Sequence, residues 1–324
     1  MKLIENGLVY PVGAGPTPSC HASTVCALPD GRIMAAWFGG HHESADDVEI
    51  WSSVREGGQW SAPVQMSRTT DEACWNPVLY RDGDDVTLFF KRGHKIAHWK
   101  TFVRRSTDGG RTFGAEEELI PGDESGGRGP VKDKPIRLSD GTLIAGASHE
   151  SEDGKIWRAF FDLSPDGGQT WTRTPYLEVK EPTRLIQPTL WEDRDGVHAL
   201  LRSDAGVVCR ADSPDGRVWS AVSRTALPNN NSGIDCVFLP DGSSGDSPDG
   251  RLALVCNPVG ADWGARTPLS LLVSGDGGRT WKRELDLARG EGEYSYPAVI
   301  ASGRELYITY TWNRRSVAFA RVAL

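Results

Sequence analysis

Short apolar runs recur along the chain, and each is entered through a turn pair that ends in glycine. Asp30-Gly31 leads into Ile33 to Trp37, Asp82-Gly83 into Val86 to Phe90, and Asp140-Gly141 into Leu143 to Ala145. Asp195-Gly196 leads into Val197 to Leu201, Asp249-Gly250 into Leu252 to Val255, and Ser302-Gly303 into Leu306 to Tyr310. The runs are too short for helices, and no stretch sustains the i, i+3, i+4, i+7 spacing of an amphipathic helix. Strands joined by tight turns are the reading that fits. The six turn glycines lie roughly fifty residues apart, a period that belongs to propeller blades of several strands each. The pattern predicts an all-β, six-bladed β-propeller of four-stranded antiparallel blades.

A second repeat runs in phase with the first. Ser106-Thr-Asp108-Gly-Gly110-Arg-Thr112-Phe113 returns as Ser164-Pro-Asp166-Gly-Gly168-Gln-Thr170-Trp171 and as Ser274-Gly-Asp276-Gly-Gly278-Arg-Thr280-Trp281. A shorter copy spans Ser213 to Trp219, and a degraded one spans Ser53 to Trp60. Asp followed by Gly suits a tight hairpin, since Asp bonds nearby amides and Gly supplies positive φ. The closing aromatic is expected to plug the gap beside the hairpin. These elements are scaffold, and they place the outer two strands of each blade. The last unit lacks one, so residues 1 to about 14 are expected to supply its missing outer strand and close the ring. The polar insertion at residues 243–248 reads as a surface loop, and the whole of 1–324 reads as one propeller domain.

Composition narrows the partners. With 36 Lys and Arg against 44 Asp and Glu the net charge is −8, the wrong sign for a nucleic-acid-binding face. No apolar run approaches the ~18 residues of a membrane span, and the first residues have no signal-peptide core. The expectation is a cytoplasmic protein with neither nucleic-acid nor membrane partner. The six cysteines form no C-x-x-C pair and several sit in apolar strand text, as buried free thiols do.

Candidate chemistry lies where the innermost strands begin, at one mouth of the propeller axis. The repeat puts His21, Asn76, Arg128, Lys132, Gln187, Asn231, Tyr294 and Tyr296 at those positions. The ends of the second strands give a further ring on the same face, with His41, His42, Glu43 and Asp47, then His94, His149, Glu150, Arg202 and Arg314. Arg266 and Trp263 follow in the loop after Asn257. Arg202 interrupts an apolar run, which calls for an anion. Arg128, Arg202 and Arg266 together could hold a carboxylate in bidentate fashion. Histidines crowd this face, and His21 and His41 are the candidates for proton transfer, with a His-like pH dependence expected. His41, His42 and Asp47 match no metal-ligand spacing, and the reading calls for neither metal nor cofactor. Trp263 is a candidate stacking surface for a sugar.

On these residues the chain resembles the sialidase superfamily of Asp-box (BNR) repeat propellers. The resemblance covers essentially the whole chain and rests on the Ser-x-Asp-x-Gly-x-Thr-Trp copies. It implies a carbohydrate-active enzyme that holds a substrate carboxylate with three arginines and uses a Tyr nucleophile, its Glu partner and an Asp acid/base. Arg202 looks like the second arginine, Arg266 like the third, Tyr294 like the nucleophile and Asp47 like the acid/base. Two positions depart. His21-Ala-Ser23 stands where the first arginine belongs, and Gln187-Pro188 where the Glu partner belongs. A neutral Gln cannot activate a tyrosine as a carboxylate does. The departures are similar to those of the branch that holds rhamnose–glucuronate lyases, where His and Tyr move protons in a β-elimination. The expected substrate is an acidic oligosaccharide cleaved at a terminal carboxylate-bearing sugar. Elimination at a uronate is the leading expectation. The alternatives are a sialidase-like hydrolase and a non-catalytic acidic-glycan-binding propeller.

Overall fold

The computed structural model describes residues 1–239 and 251–324, and it builds six antiparallel sheets around an axis. Blade 1 holds Ser19–Ala27, Ile33–Gly40, Glu49–Glu56 and Gln59–Trp60, with Val64–Gln65 also pairing its third strand. Blade 2 holds Cys74–Asp82, Asp85–Arg92, Lys100–Ser106 and Glu117–Glu118; blade 3 holds Ile136–Arg137, Leu143–Glu150, Trp157–Ser164 and Thr172–Arg173. Blade 4 holds Leu185–Asp193, Gly196–Ser203, Val207–Ser213 and Ser223–Pro228; blade 5 holds Asp235–Phe238, Leu252–Cys256, Leu269–Ser274 and Lys282–Ala288. Blade 6 takes Tyr294–Ser302, Glu305–Trp312 and Ser316–Ala323 from the end of the chain. Its fourth strand is Lys2–Leu8, paired antiparallel with Ser316–Ala323. The N-terminal segment closes the ring as the repeat arithmetic required. Among the described residues the helical content is one 3-10 turn, Ile96–His98. The insertion at 243–248 and the Asp249-Gly250 turn lie outside the described residues.

The first strands of blades 6, 1 and 2 meet in succession around the axis, as do those of blades 4, 5 and 6, while blade 3 meets blade 4 through its second strand. Apolar side chains fill each of the six seams between adjacent blades. Phe38, Ile50, Leu79 and Phe90 fill the seam of blades 1 and 2, and Val255, Leu271, Val299 and Ile308 that of blades 5 and 6. This arrangement follows from the runs being apolar on both faces. A blade has neighbours on both sides, so neither face of its inner strands is left to water. All six cysteines are free and buried in these seams.

The Asp boxes work as local clamps. In one of them Asp276 Oδ1 accepts the Ser274 hydroxyl (2.7 Å) and the amides of Arg279 (3.1 Å) and Thr280 (2.9 Å), while Oδ2 accepts the Thr280 hydroxyl (2.6 Å). Asp108 and Asp166 make the same four bonds. The box glycines Gly277 and Gly278 have φ of 67° and 77°, which a side chain would strain. Burial raises the Asp276 carboxyl, but the Thr280, Ser274 and amide donors outweigh it and bring it down to about 2. The closing aromatic turns into the seam with the preceding blade: Trp219 of blade 4 stacks on Phe161 of blade 3 at 3.9 Å.

Candidate active site

A shared backbone device aims side chains at the axis. Ala22, Asn76, Gln187, Asn231 and Tyr296 sit at the same place near the start of their blades' inner strands, with φ of 52°, 41°, 55°, 56° and 51°. Four of them fall where the pairing register slips, a β-bulge in blades 1, 2, 4 and 6. Left-handed non-glycine residues cost on the order of 1 kcal/mol or more each and persist where the surroundings hold them. Each bulge breaks the two-residue alternation of the strand and redirects one side chain.

The redirection gathers a polar cluster. Arg202 is buried, and its Nη1 donates to the Tyr296 hydroxyl oxygen (2.6 Å) and to Gln187 Oε1 (3.2 Å), while its Nε donates to Asn231 Oδ1 (2.7 Å). Gln187 Nε2 also donates to the Tyr296 oxygen (3.3 Å). With two donors already aimed at that oxygen, the phenol proton has to point elsewhere. Asn231 donates in turn to Asp262 (2.7 Å). The His21 ring lies 4.2 Å from the Tyr296 ring, centre to centre, and its Nδ1 lies 2.8 Å from Thr311 Oγ1. The Ala22 amide donates to that same oxygen (3.2 Å). Burial, then the charges of Arg314, Arg266, Arg202 and Lys132, hold the His21 imidazole well below its ordinary value. His21 is therefore neutral at neutral pH.

Two more arginines stand at the rim. Arg266 lies 5.5 Å from the centre of the Tyr296 ring and pairs with Glu293 (2.7 Å). Arg314 pairs with Glu293 (3.1 Å) and with Glu43 (2.5 Å). Burial raises Glu293, but Arg266 and Arg314 outweigh it and keep it ionised. Glu150, at the end of the second strand of blade 3, is pushed up by burial against the pull of Arg202 and Arg184. Trp263 is 60% exposed, and its ring centre lies 5.6 Å from the Arg202 guanidinium and 6.1 Å from the buried Trp157 ring.

Several expected residues fall elsewhere. Tyr294 packs in the seam of blades 5 and 6 and donates to the Glu291 carbonyl (3.1 Å), so it faces away from Arg202. In a regular strand Tyr294 and Tyr296 would share a face; the bulge at Tyr296 parts them. Arg128 is consumed by the fully buried Asp162, at 2.9 and 2.8 Å, and by Asp123 (3.1 Å), so it is a structural partner and not a carboxylate clamp. Lys132 spends its ammonium on Asp133 (2.7 Å) and on the carbonyls of Ile234 (2.7 Å) and Pro297 (2.5 Å), plugging the axis. Asn76 donates to the Val131 carbonyl (3.0 Å). His41 and Asp47 pair with each other at 2.8 Å on an exposed rim loop, with no contact to the Arg202 cluster; the His41 bond holds the Asp47 carboxyl below its usual range. A His-like pH dependence from His21 no longer follows, because its imidazole is held neutral. Sequence reasoning passed over Arg314, Glu293 and Glu150 as contributors. Arg314 and Glu150 lie in the ring of second-strand ends, and Glu293 immediately precedes the blade 6 inner strand.

A family model described as a BNR repeat-like domain matches residues 31–308. The chain belongs to the BNR repeat-like domain family. This BNR propeller has solved structural relatives with full-ring similarity. A Dyadobacter fermentans protein of unknown function superposes with a TM-score of 0.77 at 14% identity, covering 100% of this chain and 99% of that one. A Hadza microbial sialidase gives 0.81 at 16% identity over 98% of this chain and 68% of its own. A Trypanosoma rangeli sialidase in complex with sialic acid gives 0.72 at 15% identity, over 95% and 55%. Identities this low carry the fold across and leave the chemistry to the site. A sequence comparison with curated proteins returned no match.

Proposed function

We propose that this BNR propeller is a carbohydrate-active enzyme that cleaves an acidic oligosaccharide beside a terminal uronate, by β-elimination. The observation that carries the reading is the amide of Gln187, and no carboxylate, beside the hydroxyl of Tyr296, with Arg202 at 2.6 Å. The tyrosine nucleophile of a glycosidase works paired with a carboxylate, and among the described residues the side chains bonded to the Tyr296 oxygen are the donors Arg202 and Gln187. An elimination needs a different set. Arg266 and Arg314 at the rim meet the uronate carboxylate, which acidifies the proton at the adjacent carbon. The Tyr296 phenol first gives its proton to solvent, leaving a phenolate whose charge the Arg202 and Gln187 donors offset, and that oxygen then takes the carbon-bound proton as base. The C–H electrons form the new C=C bond, the bond to the leaving oxygen breaks, and that oxygen takes a proton back from Tyr296. His21, kept neutral by burial and the surrounding cations, hydrogen-bonds the substrate without adding charge.

The test is incubation with a panel of acidic oligosaccharides, read by product mass and ultraviolet absorbance. Elimination gives a conjugated unsaturated uronate and products that together weigh no more than the substrate. Products heavier by one water, with no absorbance change, would establish hydrolysis instead. Saturable binding without turnover would leave a glycan-binding propeller.

A further inference from the structure

A basic cleft opens beside the site on the outer side of blades 3 and 4. Its volume is about 560 Å³, within the ~300–1,000 Å³ of small-molecule sites. Lys155, Arg158, Lys180 and Arg184 line it together with Trp157 and Tyr176. The cleft shares a wall with the axial cluster. Trp157 carries the Arg202 guanidinium at 5.5 Å and the Arg184 guanidinium at 4.7 Å from its ring centre. Arg184 is also tied to Asp204 (2.7 Å) and lies 3.6 Å from Asp262, the carboxylate that holds Asn231.

The charges of the cleft are unevenly satisfied. Lys155 lies near Asp153 (3.5 Å), and Glu181 on the cleft's edge is taken by Arg224 (3.0 Å). Among the described residues, no carboxylate stands within ion-pair distance of Arg158, Lys180 or the adjoining Arg173. Arg158 and Arg173 instead lie 5.4 and 4.6 Å from the centre of the Tyr176 ring. In a protein of net charge −8, three unpaired cations around one aromatic-walled cleft form a local field opposite to the whole.

We infer that this cleft is a subsite for the anionic remainder of the glycan chain, the sugars behind the terminal one bound at Tyr296. The inference rests on the proposed function for its direction and adds to it that the substrate is a polyanion, not a single acidic sugar on a neutral stem. Carboxylates or sulfates of the chain would meet Arg158, Lys180 and Arg173, and Trp157 with Tyr176 would wall the sugar faces.

The experiment uses the full chain carrying Tyr296→Phe, to stop turnover, and measures calorimetric binding of an oligoglucuronate long enough to reach the cleft, its disaccharide, and a neutral glucan of equal length. The expected result is tighter binding of the long anion than of either other probe, and about a ten-fold loss of that advantage in Arg158→Glu/Lys180→Glu. Thermal melting checks that this double variant, altered at exposed unpaired positions, remains folded. Equal binding of long and short anions, or an unchanged affinity in the double variant, would overturn the subsite. In the unsubstituted protein, cleavage of the disaccharide by elimination would still stand in that case. Conversely, charge-dependent binding of the long probe without any cleavage would sink the elimination and keep the cleft.

Discussion

The rim of the propeller and its mouth are built from repeats of the same chain, yet they repeat different things. At the rim, Asp108, Asp166 and Asp276 recur as the same residue making the same four bonds. At the mouth the backbone recurs while the side chain varies: Ala22, Asn76, Gln187, Asn231 and Tyr296 share one left-handed conformation. A clamp that stabilises its own hairpin is needed unchanged in every blade. A position aimed at a common axis faces the other four instead, and one pocket cannot use five copies of one group. Repetition of residue therefore marks scaffold here, and repetition of conformation with varied residue marks the site.

The contrast can be broken most sharply at Tyr296. Tyr296→Phe keeps the bulge and removes the oxygen, and turnover should fall by about 10²–10⁴-fold with the melting temperature little changed. A loss of only a few-fold would remove Tyr296 from the chemistry. Gln187→Glu comes next. It sets a carboxylate against Arg202 and Tyr296, diverts the guanidinium, and should lower the elimination rate about ten-fold, as read by initial rates. A rise in rate with water-added products would show that the departure from a carboxylate is what suppresses hydrolysis.

Acid stability distinguishes the two regions as well. The folded His21 is held below its ordinary value, so the unfolded chain binds the extra proton as pH falls through ~6.5. Stability is full above that range and declines below it, by at most about 1.4 kcal/mol per pH unit from this group. Denaturant melts between neutral and mildly acidic pH should show the decline, and His21→Gln should flatten it. At the rim, Asp276→Ala removes a four-bond clamp and should cost about 1–2 kcal/mol of stability with turnover intact. The smallest effect belongs to Tyr294→Phe. It loses one bond to a backbone carbonyl, about 1 kcal/mol, and turnover should stay within a few-fold of the parent.

Much of the fold is legible in the sequence. The Asp-Gly turns and Asp boxes counted the blades, because each is a local device whose residues name its geometry. The convergence of His21, Gln187, Asn231, Arg202 and Tyr296 followed from aligning the units. What escaped was set by contacts between distant strands. Tyr294 and Tyr296 are two residues apart, and only the bulge decides which one faces the axis. Arg128 reads as a free cation until Asp162, 34 residues on, is seen to be fully buried and in need of it. Arg314 sits beside Asn313 at the blade 6 turn, both with positive φ, and nothing in the text of that turn tells where the guanidinium goes.

The pairing of Lys2–Leu8 with Ser316–Ala323 carries a consequence for biosynthesis. On the ribosome the first of these strands must remain without its partner until the blades that separate the two in sequence have all been made. Its exposed edge is a vulnerable one throughout that wait, and registry of blade 6 is decided last. A nascent chain stalled just short of residue 316 would thus hold five complete sheets, a partial sixth and an open seam, an assembly that chaperones or proteases could tell from the finished ring.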